Sequence, residues 1–231
     1  MKIFTMSYDD GIHQDKRFIS LLKKYGLQCT FNINSGQLGA TNWFDFPDRR
    51  VDHIRFKEEE LPIIYNGFEI ACHTKNHPCL DACAKEKVID EVLGDQQNLE
   101  HILGCKITGM AYPNGNFYTE QTIQIILENT SIRYARTIAD TLSFEFPKRL
   151  MEWHPTCYHI RDEIFELAEK FIKLSPEEDA LFYLWGHSYE FDFTDDGWSR
   201  IEKFMQLISN RKDIIYATNQ GVVDLMQNSQ K

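Results

Sequence analysis

The chain is short of several things, and each shortage excludes something. None of its 231 residues fall in a run approaching the roughly 20 continuous apolar residues of a membrane-spanning helix, so no membrane partner is expected. A secretory leader needs a basic start, about 7–15 apolar residues and a small-residue cleavage site. Here the segment from Met1 to Tyr8 runs straight into Asp9-Asp10-Gly11, and we expect a cytoplasmic protein. Positive charge is in deficit: 25 Lys and Arg face 35 Asp and Glu, for a net charge of −10. That balance argues against nucleic acid as a partner, because binding its phosphates requires cations. Glycine (12) and proline (7) are sparse and gather into no linker, and no internal repeat is visible, so residues 1–231 read as one domain. The six cysteines (Cys29, Cys72, Cys79, Cys83, Cys105 and Cys157) are even in number. Without an export signal they read as free thiols rather than a disulfide framework.

What is present is an alternation. With 42% apolar and 26% charged residues, the chain has material for a sizeable core. Strand-like runs over Lys2–Tyr8, Gln28–Ile33, Phe68–Cys72, Lys106–Tyr112, Ile132–Arg136, Ala180–Trp185 and Ile214–Ala217 are separated by helical patterns. These cover Asp15–Tyr25, Ala84–Leu103, Thr119–Glu128, Arg161–Leu174, Gly197–Ser209 and a short helix from Asn219. Such order implies parallel strands joined by right-handed crossovers. The predicted fold class is α/β: a short or distorted (β/α) barrel of about seven strand–helix units, smaller than the usual ~250-residue barrel. Residues 34–57, rich in aromatics and charges (Trp43, Phe44, Phe46, Arg49, Arg50, His53, Arg55), are too long for an ordinary connection and read as an inserted loop or small subdomain.

Three clusters stand at predicted strand ends, where a barrel carries its active site. Asp9-Asp10-Gly11 follows the first strand; read alone it is a turn, or a pair in which one Asp binds a metal and its neighbour acts as a base. His73-Thr74-Lys75-Asn76-His77-Pro78 follows the third, and its two His share a face if the segment is helical. Imidazoles plus one Asp suit one divalent transition ion (Zn, with Co, Ni or Fe as alternatives) and leave a coordination position open for chemistry. A pair of surface histidines, or a zinc knot with the flanking Cys72, Cys79 and Cys83, are the other readings. Leu184-Trp185-Gly186-His187-Ser188 ends another strand, with His187 a candidate general acid or a structural hydrogen-bonder.

In order and context these clusters resemble the polysaccharide deacetylase (NodB-homology, carbohydrate esterase family 4-like) family. Ser7-Tyr8-Asp9-Asp10-Gly11 is similar to its T-F-D-D-G motif, which supplies the base (Asp9) and a metal ligand (Asp10). His73-Thr74-Lys75-Asn76-His77-Pro78 matches its H-S/T-x-x-H-P motif, which makes His73 and His77 metal ligands. Gly67-Phe68-Glu69-Ile70 is similar to its G-H-E-I run, Tyr112-Pro113-Asn114-Gly115 to the end of its third motif, and His187 stands at its acid His. Three departures are visible. Gly109-Met110-Ala111 lacks the Arg that steadies the catalytic Asp, and Arg136, ending the next predicted strand, is the candidate replacement, with Arg133 facing the opposite way. Glu152-Trp153-His154-Pro155 is the only counterpart of the fourth motif. Trp185 stands where a Leu is expected before the His. His154 and His159 read as structural. Tyr112, Pro113, Trp153 and Trp185 are the expected substrate-lining residues.

The resemblance implies metal-dependent hydrolysis of a non-peptide C–N bond, chiefly N-deacetylation of an N-acetylated sugar or glycan. Asp9 would act as base, His187 as acid, and a backbone N–H near Tyr112 as support for the oxyanion. The expected partner is a carbohydrate or small amide; a cytoplasmic protein would meet a soluble sugar, an oligosaccharide or a nucleotide-linked intermediate. The alternatives are an amidohydrolase acting on a cyclic imide or ureide, and a non-catalytic metal-containing carbohydrate-binding protein.

Overall fold

The first strand explains much of the architecture. Strand β1 (Lys2–Asp9) is buried along its whole length, as expected for the central strand of a parallel sheet covered on both faces. Phe4, Met6 and Tyr8 join the large apolar layer between sheet and helices, whereas Ile3 belongs to a smaller cluster with Leu181 and Tyr183. The strand's two-residue period accounts for that division. On the same alternate positions Thr5 bonds Asn219, Ser7 bonds Tyr183, and Asp9 meets Asn32.

A computed structural model describes residues 1–228. After β1 come α1 (Asp15–Tyr25), β2 (Thr30–Ile33), the hairpin strands β3 (Thr41–Asp45) and β4 (Arg50–Ile54), α2 (Leu61–Ile64), β5 (Glu69–Cys72) and α3 (Lys85–Leu103). The second half runs β6 (Gly109–Ala111), α4 (Glu120–Asn129), β7 (Tyr134–Arg136), β8 (Cys157–Tyr158), α5 (Ile164–Lys173), β9 (Ala180–Gly186), α6 (Gly197–Ile208), β10 (Ile215–Tyr216) and α7 (Asn219–Asn228). The main sheet is parallel in the order β7-β6-β5-β2-β1-β9-β8, with β10 also pairing β1. It curls into a half-barrel surrounded by helices, a distorted (β/α) barrel in a single domain. No described helix is long and apolar enough to cross a membrane, and the six cysteines are free thiols.

Register brings the site together. Asp9 pairs with Asn32, Ile33 with Cys72, Cys72 with Met110, Ala111 with Arg136, and Tyr8 with Gly186. The carboxyl ends of six strands therefore share one rim. Helix α1 stops at Gly26, whose φ of 65° is the left-handed cap that glycine adopts freely.

The segment 34–57 is an antiparallel hairpin whose two ends are fastened to each other. Gly39 N–H donates to Phe56 O, and Arg55 N–H to Ala40 O. The far edges of the sheet are joined by residues 153–158, which supply the short β8 that sequence patterning does not reveal. Trp153 exchanges backbone bonds with Ala135 and Thr137, and Thr156 donates to Tyr183 O. Pro155, which has no N–H, sits between these two halves.

Candidate active site

Asp9 leaves the end of β1 pointing into the barrel mouth and is 2% exposed. Asn32 Nδ2 donates to its Oδ1 at 2.7 Å, and Arg136 Nη2 to its Oδ2 at 2.5 Å. Arg136, buried at the end of β7, also lies with its guanidinium 4.6 Å from the Trp185 ring centre. Burial opposes ionisation of Asp9, but Arg136, His73 and His187 outweigh it and hold its carboxyl below the usual range. Arg133 faces outward to Gln227 and Asp224.

Asp10 lies past the strand with φ 82°, left-handed backbone that is unusual for a residue with a Cβ. Its carboxylate, together with His73 and His77, forms the only group of three or more His, Cys, Asp or Glu able to share a cation among the described residues, with donor atoms within 4.8 Å of one another. The segment from His73 to His77 is not helical. Thr74 and His77 have φ of 63° and 59°, and Pro78 disfavours helix at the residue before it. The loop nevertheless turns the two rings together, with their Nε2 atoms 3.2 Å apart. His73 Nδ1 lies 2.9 Å from Ala111 O; a carbonyl only accepts, so Nδ1 carries the proton and Nε2 offers its lone pair. Tetrahedral Zn–N bonds of 2.0–2.1 Å place neighbouring ligands about 3.3 Å apart, so the donor set fits a divalent transition ion. Burial lowers the pKa of His73, and burial with the neighbouring His73 lowers that of His77 to about 4, keeping both neutral as ligands must be.

His187 closes the opposite side, its Nε2 3.8 Å from Asp9 Oδ2. Burial disfavours its charge, yet Glu190, Asp9 and Asp10 raise its pKa to about 9. Glu190 Oε2 lies 3.2 Å from His187 Nδ1 and 3.1 Å from His159 Nε2, and Tyr158 Oη donates to Oε1. Asp9, His73, His77, His187, Tyr112, Asn114, Gly115, Ile138 and Trp185 line one cavity of about 210 Å³. Tyr112 and Trp185, two of the residues expected to line a substrate site, are thus brought to this cavity.

Two expected lining residues stand elsewhere. Trp153 is 1% exposed between Tyr134 and Tyr183, because the chain closing the barrel turns its ring into the interior cluster. Pro113 is buried and does not line the cavity. The Tyr112 N–H is spent on Arg136 O, so it has no bond to offer an oxyanion. Cys79 and Cys83 do not join the cation-binding group.

Sequence reasoning missed the supports. Asp95 of α3 accepts from the backbone N–H groups of His73 and Ser35, Glu91 accepts from Asn76, and Asn34 Nδ2 reaches His73 O. Their signal is a buried acidic pair at i,i+4 on one helix. For Glu190 it is the three-residue spacing after His187. For His53 and Arg55 it is their alternation with Val51.

A family model described as polysaccharide deacetylase matches residues 1–134, more than half of the chain. The chain belongs to the polysaccharide deacetylase family. No curated protein matches its sequence. Solved structures of similar fold include a family 4 carbohydrate esterase from Streptomyces lividans in complex with acetate, at 12% identity and TM-score 0.57, covering 94% of this chain and 92% of that one. The peptidoglycan deacetylase PdaC from Bacillus subtilis has 13% identity and TM-score 0.59, covering 99% and 93%. A mutant of a family 4 pseudoenzyme with restored enzymatic activity has 11% identity and TM-score 0.60, covering 95% of this chain and 66% of its own. The chain thus spans only about two thirds of the length of that last structure.

Proposed function

We propose that the protein is a metal-dependent hydrolase that removes the acyl group from an N-acetylated sugar or glycan. The carrying observation is the pairing of an arginine-held Asp9 with the Asp10–His73–His77 cluster, whose two imidazoles line one small cavity with Asp9, opposite His187. About 210 Å³ lies below the roughly 300–1,000 Å³ that encloses a drug-sized ligand. It suits an acetamido group, with the remainder of the substrate outside.

Asp10, His73 and His77 would hold the ion, which when bound polarises the amide carbonyl and lowers the pKa of water beside it. Asp9, ionised and fixed by Arg136 and Asn32, accepts the proton of the attacking water. His187, charged at neutral pH, gives a proton to the departing nitrogen as the C–N bond breaks, leaving an amine and a carboxylate. Tyr112 and Trp185 flank the acyl group. A non-catalytic, metal-containing binder would need neither a held base nor a charged acid on the same cavity, which favours the enzyme reading over that alternative.

Acetate release across a panel of N-acetyl sugars, measured on the metal-loaded chain, tests this reading. Asp9→Asn should keep the ion and the fold while turnover drops about 100-fold or more, the scale of removing a general base. Wild-type turnover in that variant would reduce Asp9 to a turn residue.

A further inference from the structure

The hairpin β3–β4 reaches back to the cation cluster. On β4 Val51 and His53 are buried, and Arg55 continues the same alternation at 8% exposure. His53 Nε2 lies 2.9 Å from Asp10 Oδ2, Arg55 Nη2 is 3.4 Å from Asp10 Oδ1, and Arg55 Nη1 is 3.3 Å from His53 Nδ1. Guanidinium has no acceptor, so His53 Nδ1 accepts and Nε2 carries the proton. His53 is therefore a donor to Asp10, not a ligand, in keeping with its absence from the cation-binding group. Its ring is set edge-on against Phe44 and Tyr189, at 5.6 and 4.9 Å.

The backbone is tied to the same place. Phe56 N–H donates to Gly11 O at 3.0 Å, His13 N–H to Ile54 O at 2.9 Å, and Ile12 bridges Arg55. Asp10, at positive φ, is thus followed by residues paired to the chain that delivers His53 and Arg55. Unfavourable backbone persists where its surroundings fix it.

We propose that the hairpin is a working part of the cation site, with His53 and Arg55 as positioning residues that orient the Asp10 carboxylate for a bound divalent ion. This rests on the metal-site reading above. A carboxylate that binds a cation through one oxygen leaves the other in need of a donor, and such donors tune the ligand; His53 Nε2–H fills that place, and Arg55 fixes its tautomer.

Cobalt(II) affinity by chelator competition, together with the visible cobalt spectrum of the full chain, tests the proposal without any substrate. His73→Ala, which removes a ligand, should abolish binding. His53→Leu should weaken affinity roughly 10- to 100-fold, the usual scale for a partner of a ligand, and shift the cobalt bands. His53→Gln, which keeps a donor, should recover part of both. A folded His53→Leu with wild-type affinity and spectrum overturns the proposal alone; a wild-type chain that binds no cobalt overturns the metal-site reading with it. Should His53→Leu fail to fold, Arg55→Lys carries the comparison. It keeps the charge but loses the paired contacts to His53 and Asp10. A several-fold loss supports the proposal, and unchanged affinity overturns it.

Discussion

Glu190 gathers two imidazoles and a phenol round one carboxylate: His187 and His159 stand within ion-pair distance, and Tyr158 Oη donates to it. Burial pushes its pKa up, but the two imidazoles outweigh that and hold it well below the usual range. The same contact raises His187 to about 9, so the imidazolium persists through neutral pH. The favourable pairing is fully present below the ordinary imidazole value and is lost as pH rises through about 9. Glu190→Gln removes the charge that raises His187. The alkaline limb of kcat/KM should move to lower pH while the acid limb, which the proposed base Asp9 would set, stays in place; an unmoved alkaline limb would assign that limb to another group. Residues read directly from sequence were those whose chemistry lies in short local spacing: Asp9 with Asp10, and His73 with His77. Arg136 was legible because strand alternation fixes which arginine faces inward. Glu190 and His53 were not, since their meaning depends on partners brought up by other segments.

Strand β9 and the turn after it depend on a missing side chain. A Cβ at Gly186 would stand 2.1 Å from His159 Nδ1 and 2.5 Å from its Cε1. That ring is 2% exposed and is held by Tyr8 on one side and Glu190 on the other. Gly186→Ala should therefore cost about 1–3 kcal/mol, the range for overpacking, measurable as a lowered urea midpoint with unchanged slope. A midpoint equal to wild type would mean that the ring yields freely. Most elements were legible because each is bounded by a local signal: α1 runs from Asp15 to Tyr25 as its apolar spacing and Gly26 imply. Strand β6 is shorter than its apolar run, Gly109–Ala111, since only those residues lie against Tyr134–Arg136. Two-residue β8 carries no period at all and owes its pairing to β9. Likewise, sequence marked residues 34–57 as unusual but not as a hairpin anchored beside Asp10.

At the scale of the whole molecule, the barrel is closed by a patch rather than by a strand. Residues 153–158 hold β7 at one end and β9 at the other, with Pro155 interrupting the ladder between. Strands β1 and β9, by contrast, pair over seven successive positions. Regions with few backbone bonds open at lower free energy than the core. Amides of Thr137, Trp153 and Thr156 should accordingly exchange with deuterium well before those of Phe4, Met6 and Phe182. Equal protection throughout would mean that the closure opens only with global unfolding. Arg136 sits at the end of the strand that this patch secures, and its guanidinium grips Asp9. Breathing of the seam would therefore slacken the grip on the proposed base without disturbing the proposed cation ligands, which hang from strands on the continuous side of the sheet. Small motions there would tune the rate of proton removal and leave the occupancy of the metal site unchanged.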